Sequence, residues 1–297
     1  MTPRKCYTVA LPGGQLLSLG ERTLVMGIIN VTPDSFADGG SYLNSSHAVD
    51  HALALEDAGA DLLDIGGEST RPGAPSLSTD DELRRIVPVL ERLDGRVNVP
   101  ISVDTYKAVV AREALDHGVA MINDVSALAY DPRLAVVIAE RGVPIVLMHN
   151  RGYSRAMYKE AHYCDVGAEI VDELAVAIGR AVTAGIPREQ IIIDPGLGFA
   201  KRSVHSTAAL ANLEALGVLD RPILVGPSLK SFLTAAIGDR PPLDREWATA
   251  GAVATAVMLG AHIVRVHAVG AHTDVVRIVD TIRATASAGR ETVEGRP

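Results

Sequence analysis

The sequence predicts an α/β protein, a closed (β/α)8 TIM barrel forming one domain over residues 1–297 with a short N-terminal β-hairpin. Three observations predict it. Short apolar runs recur eight times. Nearly every run ends in a hydrogen-bonding or charged side chain, and helix-period segments alternate with the runs. Glycines at 59, 118, 142, 185 and 260 stand where a helix should stop, just before the next run.

In chain order, Tyr7–Leu11 and Gln15–Leu19 flank Pro12-Gly13-Gly14, a hairpin within residues 1–20 that is placed to plug the bottom of a barrel. The eight strands are expected at Leu24–Ile29, Leu62–Ile65, Pro100–Val103, Met121–Ile122, Pro144–Met148, Ile191–Ile193, Ile223–Val225 and Ile263–Val266. Helical stretches lie at Ser46–Ala58, Asp80–Leu93, Lys107–His117, Asp165–Ala184 and Glu246–Leu259. Ser78 precedes Asp80, Asp81 and Glu82, the order a helix N-terminus prefers. The connection from Asn150 to Tyr163 is irregular. Residues 285–297, rich in Gly, Arg and Glu, are expected as a mobile tail.

A net charge of −8 argues against a broad nucleic-acid-binding face, so any anionic ligand must be held by local basic groups. Cys6 and Cys164 are far apart and in no metal-ligand spacing, which suits reduced thiols in the cytoplasm. The opening residues lack the apolar core of a signal peptide, and the run Ala248–Ala261 is too short to span a bilayer. A cytoplasmic protein without membrane contact is expected.

In such a barrel the chemistry gathers where the strands end. Those positions carry Asn30, Glu68 with Thr70 and Arg71, Asp104, Asn123, His149 with Asn150, Asp194, Ser228 with Lys230, and Arg265 with His267. Singly, Asp and Asn there are as readily caps and turns. As a set on one rim they read as a site. Asp104, Asn123 and Asp194 offer acceptors and an amide to a flat heterocycle bearing N–H groups. Val225-Gly-Pro-Ser-Leu-Lys230 is either a turn opening a helix or a helix N-terminus meeting an anion, with Lys230 reaching it. Arg265 and His267, two residues apart, share one side of their strand and read as part of an anion pocket.

Two segments carry a family resemblance: Asn30-Val-Thr-Pro-Asp-Ser-Phe36 and Gly66-Gly-Glu-Ser-Thr-Arg-Pro-Gly73. With Ser102-Val-Asp-Thr105, Ile122-Asn-Asp124, the Asp194 loop and Arg265-Val-His267, the chain from Leu24 to about Val276 resembles the dihydropteroate synthase family. The resemblance implies condensation of 6-hydroxymethyl-7,8-dihydropterin pyrophosphate with p-aminobenzoate, Mg²⁺ as cofactor, sulfonamide sensitivity and a homodimer. It assigns Asp104, Asn123, Met148, Asp194, Gly226 and Lys230 to the pterin. Asn30, Arg71, Arg265 and His267 fall to pyrophosphate, with Asn30 also reaching the metal. Thr70, Pro72, Phe199, Ser228 and Lys230 border p-aminobenzoate, and Asp104, Lys230, Arg265 and His267 are the catalytic set. The loops at 30–36 and 69–73 are implied to close over the site.

Three positions depart from the family pattern. Leu229 stands where Arg is usual, Ala268 where Asp is usual, and Ala200 where Gly is common. The lost guanidinium is expected to alter acceptor or sulfonamide affinity, and the lost Asp to loosen Arg265 or His267. Two alternatives compete. A methyltransferase using methyltetrahydrofolate would share the Asp/Asn set but not need Arg71. A non-catalytic paralogue would explain Leu229 and Ala268 but not the retained Asn30, Arg71, Lys230, Arg265 and His267.

Overall fold

The computed structural model describes residues 3–31, 41–69, 73–74, 76–152, 158–159 and 161–294. Strands β1 (Tyr7–Ala10) and β2 (Leu16–Leu19) form an antiparallel hairpin. Eight parallel strands follow: β3 (Leu24–Asn30), β4 (Leu62–Gly66), β5 (Ile101–Asp104), β6 (Met121–Asp124), β7 (Ile145–Met148), β8 (Ile191–Asp194), β9 (Leu224–Val225) and β10 (Ile263–Val266). Their order is β8-β7-β6-β5-β4-β3-β10-β9, and a parallel bridge between Ile193 and Ile223 brings the two ends together into a nearly closed barrel. Each expected strand is present, with ends shifted by at most two residues.

Around the barrel lie α1 (Ser41–Asp57), α2 (Thr79–Leu93), α3 (Ala108–Asp116), α4 (Arg133–Arg141), α5 (Val166–Thr183), α6 (Ser203–Ala211), α7 (Thr234–Ile237), α8 (Glu246–Met258) and α9 (Val269–Glu294). The Ser78 cap forms: its Oγ accepts the Asp81 N–H at 3.1 Å. No expected range covers the short helices α4 and α6, although α4 does end at the Gly142 stop. Its start is marked by Asp131, whose Oδ1 accepts the Arg133 N–H at 3.1 Å, whereas α6 has no capping side chain and so no start signal. From Thr285 the chain continues as α9 to Glu294, because Ala, Arg and Glu sustain a helix across the single Gly289; residues 295–297 lie outside the described residues.

Two apolar layers result. Between strands and helices lies the larger core, with Ile65, Val103, Ile122 and Val264 on the strand side and Val110, Leu134, Leu174 and Val253 on the helix side. Inside the barrel a second cluster joins Leu24, Met26, Leu62, Met121, Val146, Ile192, Leu224 and Ile263 to Val9, Leu11, Leu17 and Leu19 of the hairpin segment. The hairpin therefore closes the N-terminal end of the barrel, leaving the C-terminal end as the mouth. Leu19→Ala removes a side chain only 1% exposed from this plug and should lower stability by about 2–5 kcal/mol. Urea unfolding measures it. An unchanged midpoint would mean that the hairpin does not seal the barrel.

Candidate active site

Side chains alternate along a strand, so the inner face can be followed two residues at a time. Beyond the inner core residues Leu62, Met121, Val146, Ile192, Leu224 and Ile263 come Asp64, Asn123, Met148, Asp194, Gly226 and Arg265. The same face is thus apolar at the bottom and mostly polar at the mouth. Register aligns the upper level: Asn30 pairs with Gly66, Gly66 with Asp104, and Asp104 with Asn123.

Arg265 organises this level. Its Nε donates to Asp64 Oδ2 at 2.6 Å and its Nη2 to Asp104 Oδ2 at 3.1 Å. Asn123 Nδ2 donates to the same Asp64 oxygen at 2.9 Å. Burial by itself would lower the Arg265 pKa; Asp64 and Asp104 more than reverse that, and the guanidinium stays charged. Burial raises Asp104 above the usual carboxylate range against the pull of Arg265. Asp64 Oδ1 and Ser102 Oγ, on residues paired in register, are buried without a hydrogen-bond partner, so the floor of the site keeps unused bonding capacity.

Asp194 and Lys230 face one another electrostatically. Burial raises Asp194, opposed by Lys230 and by the Gly196 N–H that its Oδ1 accepts at 2.7 Å. Burial brings Lys230 down to about 8, with Asp194 pulling upward. The Lys230 ammonium donates to the Leu197 carbonyl at 2.5 Å and lies 4.6 Å from the centre of the Phe199 ring, a cation–π distance. Gly226 leaves the space between Arg265 and Lys230 open: a Cβ there would be 3.7 Å from Arg265 Cβ and 3.9 Å from Lys230 Nζ. Met148 is buried and paired in register with Asp194.

A second polar group adjoins the first. Ser228 Oγ lies 2.8 Å from His267 Nδ1 and accepts the His267 backbone N–H at 3.2 Å, while Asn30 Nδ2 is 3.4 Å from His267 Nε2. Arg265 and His267 are therefore held by groups other than the side chain at 268. Leu229 has a left-handed backbone (φ 58°), a conformation that costs a side-chain-bearing residue about 1–2 kcal/mol. Its N–H is accepted by Thr249 Oγ1 and its carbonyl accepts from Arg245, both at 3.0 Å. Ala200 is left-handed too (φ 46°), which gives the physical reason for glycine at that position.

Of the residues expected in the site, Asn30, Asp104, Asn123, Met148, Asp194, Phe199, Gly226, Ser228, Lys230, Arg265 and His267 all lie at the barrel mouth or on its loops. Thr70, Arg71 and Pro72, like most of the loop at 30–36, lie outside the described residues. Asp64 was missed by sequence reasoning, although it had a signal: an acid inside the apolar strand Leu62-Leu-Asp-Ile65, on the face of Leu62. Lys201 was likewise given no role, and His149, although named among the strand-end residues, was given none of its own. No group of three or more acidic, His or Cys side chains that could hold a metal ion occurs among the described residues. Asn30 still offers an amide oxygen of the kind that Mg²⁺ takes alongside phosphate oxygens and water.

Residues 26–267 match the family model described as pterin binding enzyme. The dihydropteroate synthase of Bacillus subtilis is 46% identical over 84% of this chain and 85% of its own. Among solved structures, Xanthomonas albilineans dihydropteroate synthase with 4-aminobenzoic acid is 42% identical and superposes with a TM-score of 0.86, over 96% of this chain and 99% of that one. The Yersinia pestis dihydropteroate synthase with a sulfonamide drug complex reaches a TM-score of 0.86 at 40% identity, over 93% and 99%. By matched motifs, barrel and mouth alike, the chain belongs to the pterin-binding enzymes and, among them, to the dihydropteroate synthase family.

Proposed function

We propose that the chain is a transferase joining 6-hydroxymethyl-7,8-dihydropterin pyrophosphate to p-aminobenzoate, giving 7,8-dihydropteroate and pyrophosphate. The observation that carries this reading is Arg265, fixed between Asp64 and Asp104 at the point where a heterocycle edge and an anionic leaving group would meet. Asp104, Asn123, Asp194 and Lys230 would read the pterin edge, with Met148 and Gly226 against it. Asn30, Arg71, Arg265 and His267 would hold the pyrophosphate. Thr70, Pro72, Phe199, Ser228 and Lys230 would border the p-aminobenzoate.

The bond between the exocyclic methylene and the pyrophosphate oxygen breaks first, leaving positive charge on the pterin that Asp104 and Asp194 stabilise. Arg265 and His267 stabilise the departing anion. The aromatic amine then forms the C–N bond and loses a proton. Asn30 would help hold Mg²⁺, whose charge, when bound, would offset that of the leaving group. A methyltransferase has no leaving pyrophosphate to hold and so gains no support from the Arg265, His267 and Asn30 arrangement.

Sulfonamides would compete at the p-aminobenzoate subsite. Leu229, next to Lys230, supports an acceptor affinity that differs from that of relatives with Arg there. Exposed Leu243 and Trp247 ahead of and within α8, and Ile278 and Ile282 on α9, support a homodimer built on these helices. No helix among the described residues is long and apolar enough to cross a membrane, in keeping with a cytoplasmic enzyme.

The direct test is pyrophosphate release from the dihydropterin pyrophosphate with Mg²⁺, with and without p-aminobenzoate. Release should depend on the amine and yield dihydropteroate; bound pterin without turnover would favour the non-catalytic paralogue. Arg265→Met should lower kcat/KM by about 10²–10³-fold, the usual cost of losing one preorganised charge stabiliser. An activity change under threefold would remove Arg265 from the mechanism.

Lys230 also predicts a pH profile. Its folded-state pKa is depressed to about 8, so its charge is present below that value and lost as pH rises through it. The kcat/KM for dihydropterin pyrophosphate should fall on the alkaline side with a limb near pH 8. Lys230→Arg should shift that limb to higher pH, and an unmoved limb would assign it to another group.

A further inference from the structure

Lys201 has no part in the mechanism above, yet it is the largest fully buried side chain among the described residues, 1% exposed. A buried ammonium is costly unless all its donors are used. Here Nζ has His149 Nδ1 at 2.7 Å, the carbonyls of Gly196 and Phe199 at 3.1 Å each, and the carbonyl of His149 at 3.3 Å. As an ammonium it brings three N–H groups to these four acceptors, which, with the pull of Asp194, opposes the strong downward push that burial gives its pKa. Because His149 Nδ1 accepts, the ring proton belongs on Nε2, which faces Glu173 Oε2 at 3.1 Å. Burial and the neighbouring Lys201 charge push His149 down to about 4, consistent with a neutral ring.

The contacts tie two barrel loops together. The loop after β8 lies directly on the end of β7: a Cβ at Gly196 would come 2.0 Å from the His149 carbonyl oxygen. Lys201 crosses back beneath this loop and grips it at Gly196 and at Phe199. Between those two points lies Leu197, whose carbonyl accepts from Lys230, and the gripped Phe199 carries the ring under the same ammonium. No other described side chain donates a hydrogen bond to the carbonyls of Gly196 or Phe199.

We infer that Lys201 is a positioning residue for the amine-acceptor subsite. By holding the Gly196, Phe199 and His149 carbonyls, it sets where the Phe199 ring and the Leu197 carbonyl stand relative to Lys230. It thereby controls affinity for the aromatic amine more than affinity for the pterin. The inference rests on the synthase reading, and its test keeps the two apart.

The unaltered chain, Lys201→Met and His149→Leu are compared by KM for p-aminobenzoate, by kcat, by dissociation constant for dihydropterin pyrophosphate and by Tm. Lys201→Met should raise the p-aminobenzoate KM about tenfold or more, the scale of losing a buried charge-assisted hydrogen bond. The pterin dissociation constant should stay within about 1.5-fold in both variants, under the size of a single neutral hydrogen bond. His149→Leu keeps the lysine but removes its nearest acceptor, and should shift the same KM in the same direction by about threefold. It decides the matter by the same ratio if Lys201→Met does not fold. A lysine that only supports the fold would lower Tm and leave both constants unchanged, and that outcome overturns the inference. An equal rise in both constants overturns it too. An unaltered chain that makes no dihydropteroate overturns the synthase reading itself.

Discussion

A single guanidinium holds the mouth of this barrel in register. Arg265 on β10 reaches Asp64 on β4 and Asp104 on β5, and Asp64 in turn holds the Asn123 amide on β6. Four of the eight strands are linked by one charged network that sits directly above an apolar inner core. Such a network is a doubtful source of net stability, because desolvating the charges costs about as much as their attraction returns. What it supplies is position. The carboxylates and the amide cannot turn away without leaving a buried charge unpaired, so the polar groups stay where a flat ligand would meet them.

The hairpin and the network are two ends of one design. Hydrophobic contacts from β1 and β2 seal the bottom of the barrel and remove water from its interior. The low polarizability of that interior then strengthens each charge interaction at the mouth and shifts its titration. Asp104 and Asp194 move up and Lys230 down for the same reason, burial, with the opposite charges alongside limiting each shift. The proposed reaction, with a cationic pterin and a departing anion in the same small space, would be served by charges of both signs held close together but unable to collapse onto one another.

The loop after β8 extends this logic from charge to shape. Its left-handed residues, Gly196, Gly198 and Ala200, fold it back onto β7, and Lys201 staples it from below. Leu229, on the loop after β9, takes a strained conformation that its two backbone hydrogen bonds sustain. Both loops converge on Lys230. The two halves proposed for the site are therefore built differently: the residues assigned to the pterin lie mostly on strand ends, and those assigned to the acceptor on loops, whose geometry depends on a few buried contacts.

Much of this was legible in the sequence. Eight apolar runs, the glycine stops and the Ser78 cap each reflect local chemistry, and each led to the right element. The strand-end residues Asp104, Asn123, Asp194 and Arg265 were legible for the same reason: the period of a strand is short, and the change from apolar to polar happens within it. The helix α6 was not, because it lacks a capping side chain and owes its stability to packing on the barrel. The continuation of α9 past Thr285 was hidden by a composition that reads as a tail. Asp64 and Lys201 are the instructive misses. Their residue types and positions were in plain view, but a buried charge acquires its meaning from its partners, and those lie 201 residues away in Arg265 and 52 away in His149. Local periodicity determined the strands, the turns and the rim. Only the closure of the barrel decided which charges meet, because that pairing depends on desolvation and on contacts between segments far apart in the chain.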